Sequence, residues 1–128
     1  MSFSNEFETR VLQWTFTAGS PTRPTSWYLA LFTSNPDEDG SGTEVSTVGT
    51  AYAREAVTFT VSGNTATNSG AVEYSTATAT FGTVTHVAVF DASTAGNMIA
   101  YAALSTSKTI DTGDILRIPA GDLDITLD

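Results

Sequence analysis

From Trp27 to the C-terminus the sequence changes character every few residues. Apolar side chains fall at alternate positions for about four to eight residues before glycine, asparagine, aspartate or proline interrupts them. A chain punctuated this often cannot build long helices. Its segments have a period of two, so each has one face to bury and must find partners in a sheet. "SWYLALFTS" (Trp27 to Thr33) is apolar on both faces and reads as a doubly covered strand. "REAVTFTVSG" points Val57, Phe59 and Val61 one way and threonines the other, and "SGN" ends it in a turn. "AVEYSTATATF" is anchored by Val72 and Tyr74. "THVAVFDA" and "NMIAYAALS" are joined by "STAG" and read as a hairpin. After the "DTGD" turn comes "DILRIPAG". In "GDLDITLD", Leu123, Ile125 and Leu127 point inward against Asp122, Asp124 and Asp128 outward. About seven or eight strands at this spacing predict a mainly β chain, a single-domain β-sandwich or jelly-roll-like barrel.

Only the N-terminus breaks the pattern. In "SNEFETRVLQWTF", Phe7, Val11 and Trp14 fall at i, i+4 and i+7 on one helical face, and Phe3 extends that face. Asn5 is placed to cap the helix, with Glu8 closing the box, and Glu6 and Glu8 suit its positive end. Gly19, Pro21 and Pro24 stop it. Residues 1–24 thus read as one short helix, or arm, plus a connector attached to a single domain spanning 1–128. No internal repeat or long linker divides the chain, and 128 residues suffice for one core.

Five basic residues against fourteen acidic ones leave a net charge of -9. Phosphate neutralisation needs the opposite balance, so no nucleic acid is expected as a partner. An anionic membrane is excluded on the same ground, and no segment has the length of a signal core or a membrane span. The chain therefore reads as soluble and without an export signal. It has no cysteine, so disulfides, thiolate metal sites and thiol nucleophiles are all ruled out.

The single histidine, His86, precedes "VAVF" and Asp91. In a regular strand His86 shares a face with Val84, Ala88 and Phe90, while Val87, Val89 and Asp91 take the other, so the two cannot form a dyad. No second histidine or cysteine is available to complete a zinc or iron site. In the loop "NPDEDGSGTE", Asn35, Asp37 and Asp39 alternate before Gly40 as in half of a calcium loop. The closing position is Ser46, and Glu44 comes two residues early, so an irregular calcium site over 35–44 stays open beside a plain solvated turn. The aspartates of the last strand lie in a row with no cleft, which does not amount to a glycosidase pair. Trp14, Trp27, Tyr28 and Phe32 could stack on a sugar, but the parity of Trp27, Leu29 and Leu31 is that of a core face. No nucleophile elbow, phosphate loop or dinucleotide fingerprint occurs. No enzyme activity, cofactor or resident metal is expected.

The order of segments carries more information than any one residue. Tyr52-Ala53-Arg54, Gly82 to His86, Phe90-Asp91, Gly96-Asn97, Ala103-Leu104, Lys108-Thr109 and Ala120-Gly121-Asp122 occur in the succession found in a family of small structural proteins of tailed bacteriophages and prophages, which this chain resembles. Phe81 stands where tryptophan is common in that family. The resemblance covers about residues 27–128 and leaves the helix outside it. It implies a non-catalytic virion component, made in the host cytoplasm. Head decoration (cement) at the capsid surface is the preferred role, with the major capsid protein and the chain itself, as a homotrimer, for partners. A tail-associated role (tip, collar or fibre attachment) is the alternative. A carbohydrate-binding module and an acidic mimic that binds a basic host protein come after it. Docking is expected through Phe3, Phe7, Val11 and Trp14, with Arg10 and Arg23 at the rim, since aromatic residues and arginine dominate interface energetics. The same helix could instead close the open end of its own sandwich.

Overall fold

The computed structural model describes residues 1–127. In chain order the elements are β1 (Ser2–Phe3), α1 (Asn5–Phe16), β2 (Tyr28–Phe32), β3 (Glu55–Ala56), β4 (Phe59–Ser62), β5 (Thr65–Asn68), β6 (Val72–Glu73), β7 (Gly82–Phe90), β8 (Met98–Ile110), β9 (Arg117–Ile118) and β10 (Asp124–Thr126). The ten strands among the described residues outnumber the seven or eight expected because "REAVTFTVSG" holds both β3 and β4, and because β1 and the threonine-rich β5 carry no apolar alternation. All pairings are antiparallel. They give a five-stranded sheet ordered β1-β8-β7-β2-β3, a three-stranded sheet β10-β5-β4 and a two-stranded sheet β6-β9. The fold is mainly β and sandwich-like, and no closed barrel forms among the described residues. Among them, too, no helix is long and apolar enough to cross a membrane.

β2 lies inside the large sheet and is covered on both faces. Leu29 and Leu31 point into the main core with Val57, Tyr74, Val87, Val89, Ile118 and Ile125, while Ala30 and Phe32 enter a second cluster with Ala88, Phe90 and Met98. Burying each leucine contributes about 2 kcal/mol. The Phe32 and Phe90 rings stack in the second cluster at 6.2 Å.

The alternation of β7 does not run through its whole length. Val84 pairs with Lys108 but His86 pairs with Ala103, so Thr85 alone faces Leu104 to Ser107 across a bulge. The irregularity flips the strand: Val84 joins Val87 and Val89 in the main core, not the face of Ala88 and Phe90. Two further apolar residues keep the face their parity gives them but are left uncovered. Val61 is 75% exposed and Leu127 51% exposed, and both line an open groove with Phe59 and Ile125. Leu123 and Ile125 are buried as their parity requires. Asp128, expected outward, lies outside the described residues.

α1 starts one residue earlier than its capping pattern suggested. β1 pairs with β8 through Ser2 and Phe3, which leaves Ser4 extended (φ -74°, ψ 155°) as the chain departs from the sheet. That is the backbone an N-cap needs, so Ser4 caps in place of Asn5, accepting from the Phe7 N–H at 3.2 Å. The Ser4 hydroxyl donates to the carbonyl of Met98, its N–H donates to Ile99 O at 2.9 Å, and the Asn5 N–H donates to Glu38 O at 3.0 Å.

The β7–β8 hairpin closes through Asp91, whose carboxylate accepts from the Asn97 N–H at 2.7 Å and from Asn97 Nδ2 at 3.1 Å. Burial works against the Asp91 charge, but the Asn97 bonds outweigh it and hold the carboxyl below its ordinary range. Gly96 occupies φ 73°. A Cβ there would lie 2.6 Å from Asp91 Oδ1 and 2.7 Å from Ala92 Cβ. Gly96→Ala is therefore expected to cost about 2 kcal/mol or more, combining the left-handed penalty with loss of the clasp. Urea denaturation checks this, and an unchanged midpoint would refute it.

Candidate docking surface

The six residues expected to dock come together along one side of the molecule. The Phe3 and Phe7 rings touch at a centroid distance of 5.1 Å. Phe7, Val11 and Trp14 line a shallow groove of about 330 Å³ with Arg10, Pro21, Thr22 and Arg23. It continues at Phe7 and Arg23 into a second, about 420 Å³, bounded by Phe3, Trp27, Phe59, Val61 and Leu127. Among the described residues, no carboxylate lines either groove. The proline-bearing connector, running back beside α1, forms one wall.

The two arginines differ. Arg10 pairs with Glu6 at 3.0 Å and its Nη1 donates to Thr22 O at 3.3 Å, so it straps the connector to the helix. Arg23 is exposed and, among the described residues, pairs with no carboxylate.

None of the twelve residues of α1 is buried. Its first turn is fixed to the sheet by Ser4, but its second half stands clear. Trp14 is 71% exposed, and so are Leu12 at 58% and Phe16 at 78%. Leu12 and Phe16 were missed in the sequence because they lie opposite the Phe7–Val11–Trp14 stripe. Their i, i+4 spacing was the available signal. A helix end apolar on two faces is suited to being surrounded.

The residues weighed for chemistry hydrogen-bond to near neighbours. His86 Nδ1 lies 2.9 Å from Thr85 Oγ1 beside the bulge, while Asp91 is engaged by Asn97. In the acidic loop, Asn35 Oδ1 accepts from the Asp37 N–H at 3.0 Å, Asn35 Nδ2 donates to Asp37 Oδ1 at 2.7 Å, and Asp39 Oδ1 accepts from the Ser41 N–H at 3.0 Å. Bonds from Ser41 hold the Asp39 carboxyl below its usual range. Among the described residues, no three histidine, cysteine or acidic side chains group closely enough to hold a metal. The four aromatic candidates for a sugar platform are not brought together, since Trp27 packs on the main core and Phe32 on the second cluster.

One constellation had no counterpart in the sequence pattern. Glu44 accepts from the Tyr52 hydroxyl at 2.6 Å and takes Arg54 in a two-pronged pair at 2.9 and 2.8 Å. Arg54 also donates to Ala92 O at 3.0 Å and Ala95 O at 2.8 Å, and its guanidinium lies 3.7 Å over the Phe90 ring. Burial, reinforced by the Glu44 bond, pushes the Tyr52 hydroxyl far above its ordinary value, so it stays a donor. The cluster ties the loop after β2 to the β7–β8 hairpin.

The family model of the podophage GP4 fiber I protein gp80 matches residues 2–126. The match takes in α1 and the connector, which the resemblance carried by the motifs leaves out. No curated protein matches the chain.

Proposed function

We propose that this chain, which belongs to the family of the podophage GP4 fiber I protein gp80 and is a structural protein of the phage virion, is a fibre-associated component that works by docking and not by catalysis. The observation that carries this reading is the exposed second half of α1. Leu12, Trp14 and Phe16 are held out from the domain by a first turn that is itself bonded to the sheet. A rigid base presents a large aromatic side chain at little cost in ordering, which favours tight association. The fibre-associated reading takes precedence over head decoration because the matched family is described as a fibre protein.

Trp14→Ser is expected to leave thermal stability within about 0.5 kcal/mol, as for other exposed positions. The same change is expected to weaken incorporation into particles by about thirtyfold or more, the effect of removing an interface anchor. Cryo-electron microscopy of virions carrying the tagged wild-type chain supplies the location. Copies at the tail fibres support the proposal. Regular trimers over the shell, bridging major capsid subunits, would replace it with head decoration.

A further inference from the structure

We infer that the edge of β4 is an interface at which this chain pairs with a second copy of itself, whatever its place in the particle. Open strand edges offer unpaired backbone groups, and proteins guard them with charge, bulges, proline or shortness. The other edges here are guarded. β1, β3, β6 and β9 are two residues long. β10 carries exposed Asp124. The stretch of β8 beyond β1 holds the bulge and Lys108. β4 has none of these devices. It ends its sheet, pairs with β5 in unbroken register from Phe59 to Ser62, and exposes Thr60, Val61 and Ser62.

Charge selects the occupant. At a net charge of -9 two copies repel over most of their surfaces. The hairpin from Ala56 to Val72 contains no charged residue, and among the described residues no carboxylate lines the apolar groove beside it. Two copies can therefore meet here without bringing like charges into a sheet. An antiparallel β4–β4 pair about a two-fold axis at Val61 joins both small sheets into one ordered β10-β5-β4-β4-β5-β10. It sets Val61 of each copy opposite Val61 of the other, with Thr60 opposite Ser62, and extends the apolar groove across the axis.

Sedimentation of the full chain from about 1 to about 500 μM is the test, read with amide exchange at Phe59–Ser62. The expected result is a concentration-dependent dimer, favoured by added salt because screening relieves the net repulsion. Amides of β4 should slow as the dimer forms. Val61→Lys places two cations at the axis and is expected to weaken the dimer at least about tenfold. Its monomer should melt like wild type, since the side chain is exposed. Val61→Glu should act in the same direction. A chain that stays monomeric throughout overturns the inference. So does an oligomer that ignores both substitutions and leaves β4 amides exchanging at the monomer rate. Fibre docking stands or falls separately, on where the chain sits in particles and on Trp14.

Discussion

Glu44→Ala is expected to destabilise the domain by about 3 kcal/mol and to lower Tm by on the order of 10 °C. The exposure of the Arg54 side chain is 8% and that of Glu44 27%, so Arg54 is the buried partner. Removing Glu44 strands a guanidinium between Phe90 and the hairpin carbonyls with no counter-charge, and also takes away the acceptor of the Tyr52 hydroxyl. The partial exposure of Glu44 places the effect at the lower end of what broken buried pairs cost. Arg54→Met should cost less than Glu44→Ala, because a carboxylate left alone near the surface can hydrate. The double variant should then cost less than the sum of the two. Urea denaturation of all three, in low and high salt, decides the matter. A loss under about 1 kcal/mol for Glu44→Ala would mean that the pair behaves as a solvated surface bridge.

Asn68→Asp is expected to be more damaging than its near-identical shape suggests, by about 3 kcal/mol or more at neutral pH. Asn68 is 2% exposed and all its hydrogen-bonding capacity is used. Its Nδ2 donates to Gly70 O at 2.9 Å and Pro119 O at 3.0 Å, and its Oδ1 accepts from the N–H groups of Gly121 at 3.0 Å and Leu123 at 2.9 Å. The side chain fixes the turn that leads into β10. A carboxylate would keep the two acceptor contacts and turn the other two into repulsions with carbonyls. Desolvation and those carbonyls raise the folded-state pKa of the new acid above its unfolded value of about 4. Its charge is then disfavoured by folding. The deficit relative to wild type must grow as pH rises above about 4 and shrink as pH falls toward it. Asn68→Ala loses the same four bonds without adding a charge, so its deficit should not vary in that way. A pH-independent deficit for Asn68→Asp would contradict this account of the site.

Most sheet-forming segments, the hairpin turn after Phe90 and the helix could be read from period and punctuation alone, because each is a local property, but β1 and β5 could not. The sandwich followed from their spacing. What could not be read depends on contacts across the chain. By parity Val84 belongs with Ala88, and only the placing of Leu104 to Ser107 against Thr85 moves it to the other face. Ser4 caps in place of Asn5 only because β1 pairs with β8. Val61 and Leu127 have the parity of core residues, but alternation names a face without saying whether another layer covers it. Asn68 ends β5, in a tract of threonine, asparagine and glycine with no apolar alternation to mark it, and its four partners lie up to 55 residues away. The docking candidates fared differently. Phe7, Val11 and Trp14 come to one groove because their order along a single helix is enough to align them, and Phe3, in β1, bounds the groove that adjoins it at Phe7. Leu12 and Phe16 were passed over because a search for one stripe ignores the opposite side.

The attachment of α1 at Ser4 also sets how the molecule responds to force. A pull on Trp14 reaches the domain by two routes, up the helix to the Ser4 and Asn5 bonds and the short β1–β8 ladder, and through the connector that Arg10 straps to the helix. Pulled along the strand direction, those bonds share the tension and must fail together. Pulled away from the sheet, they give way in succession, like a peeled seam. The angle at which a partner grips the helix, and not its affinity alone, therefore decides how hard this joint can be drawn before it opens.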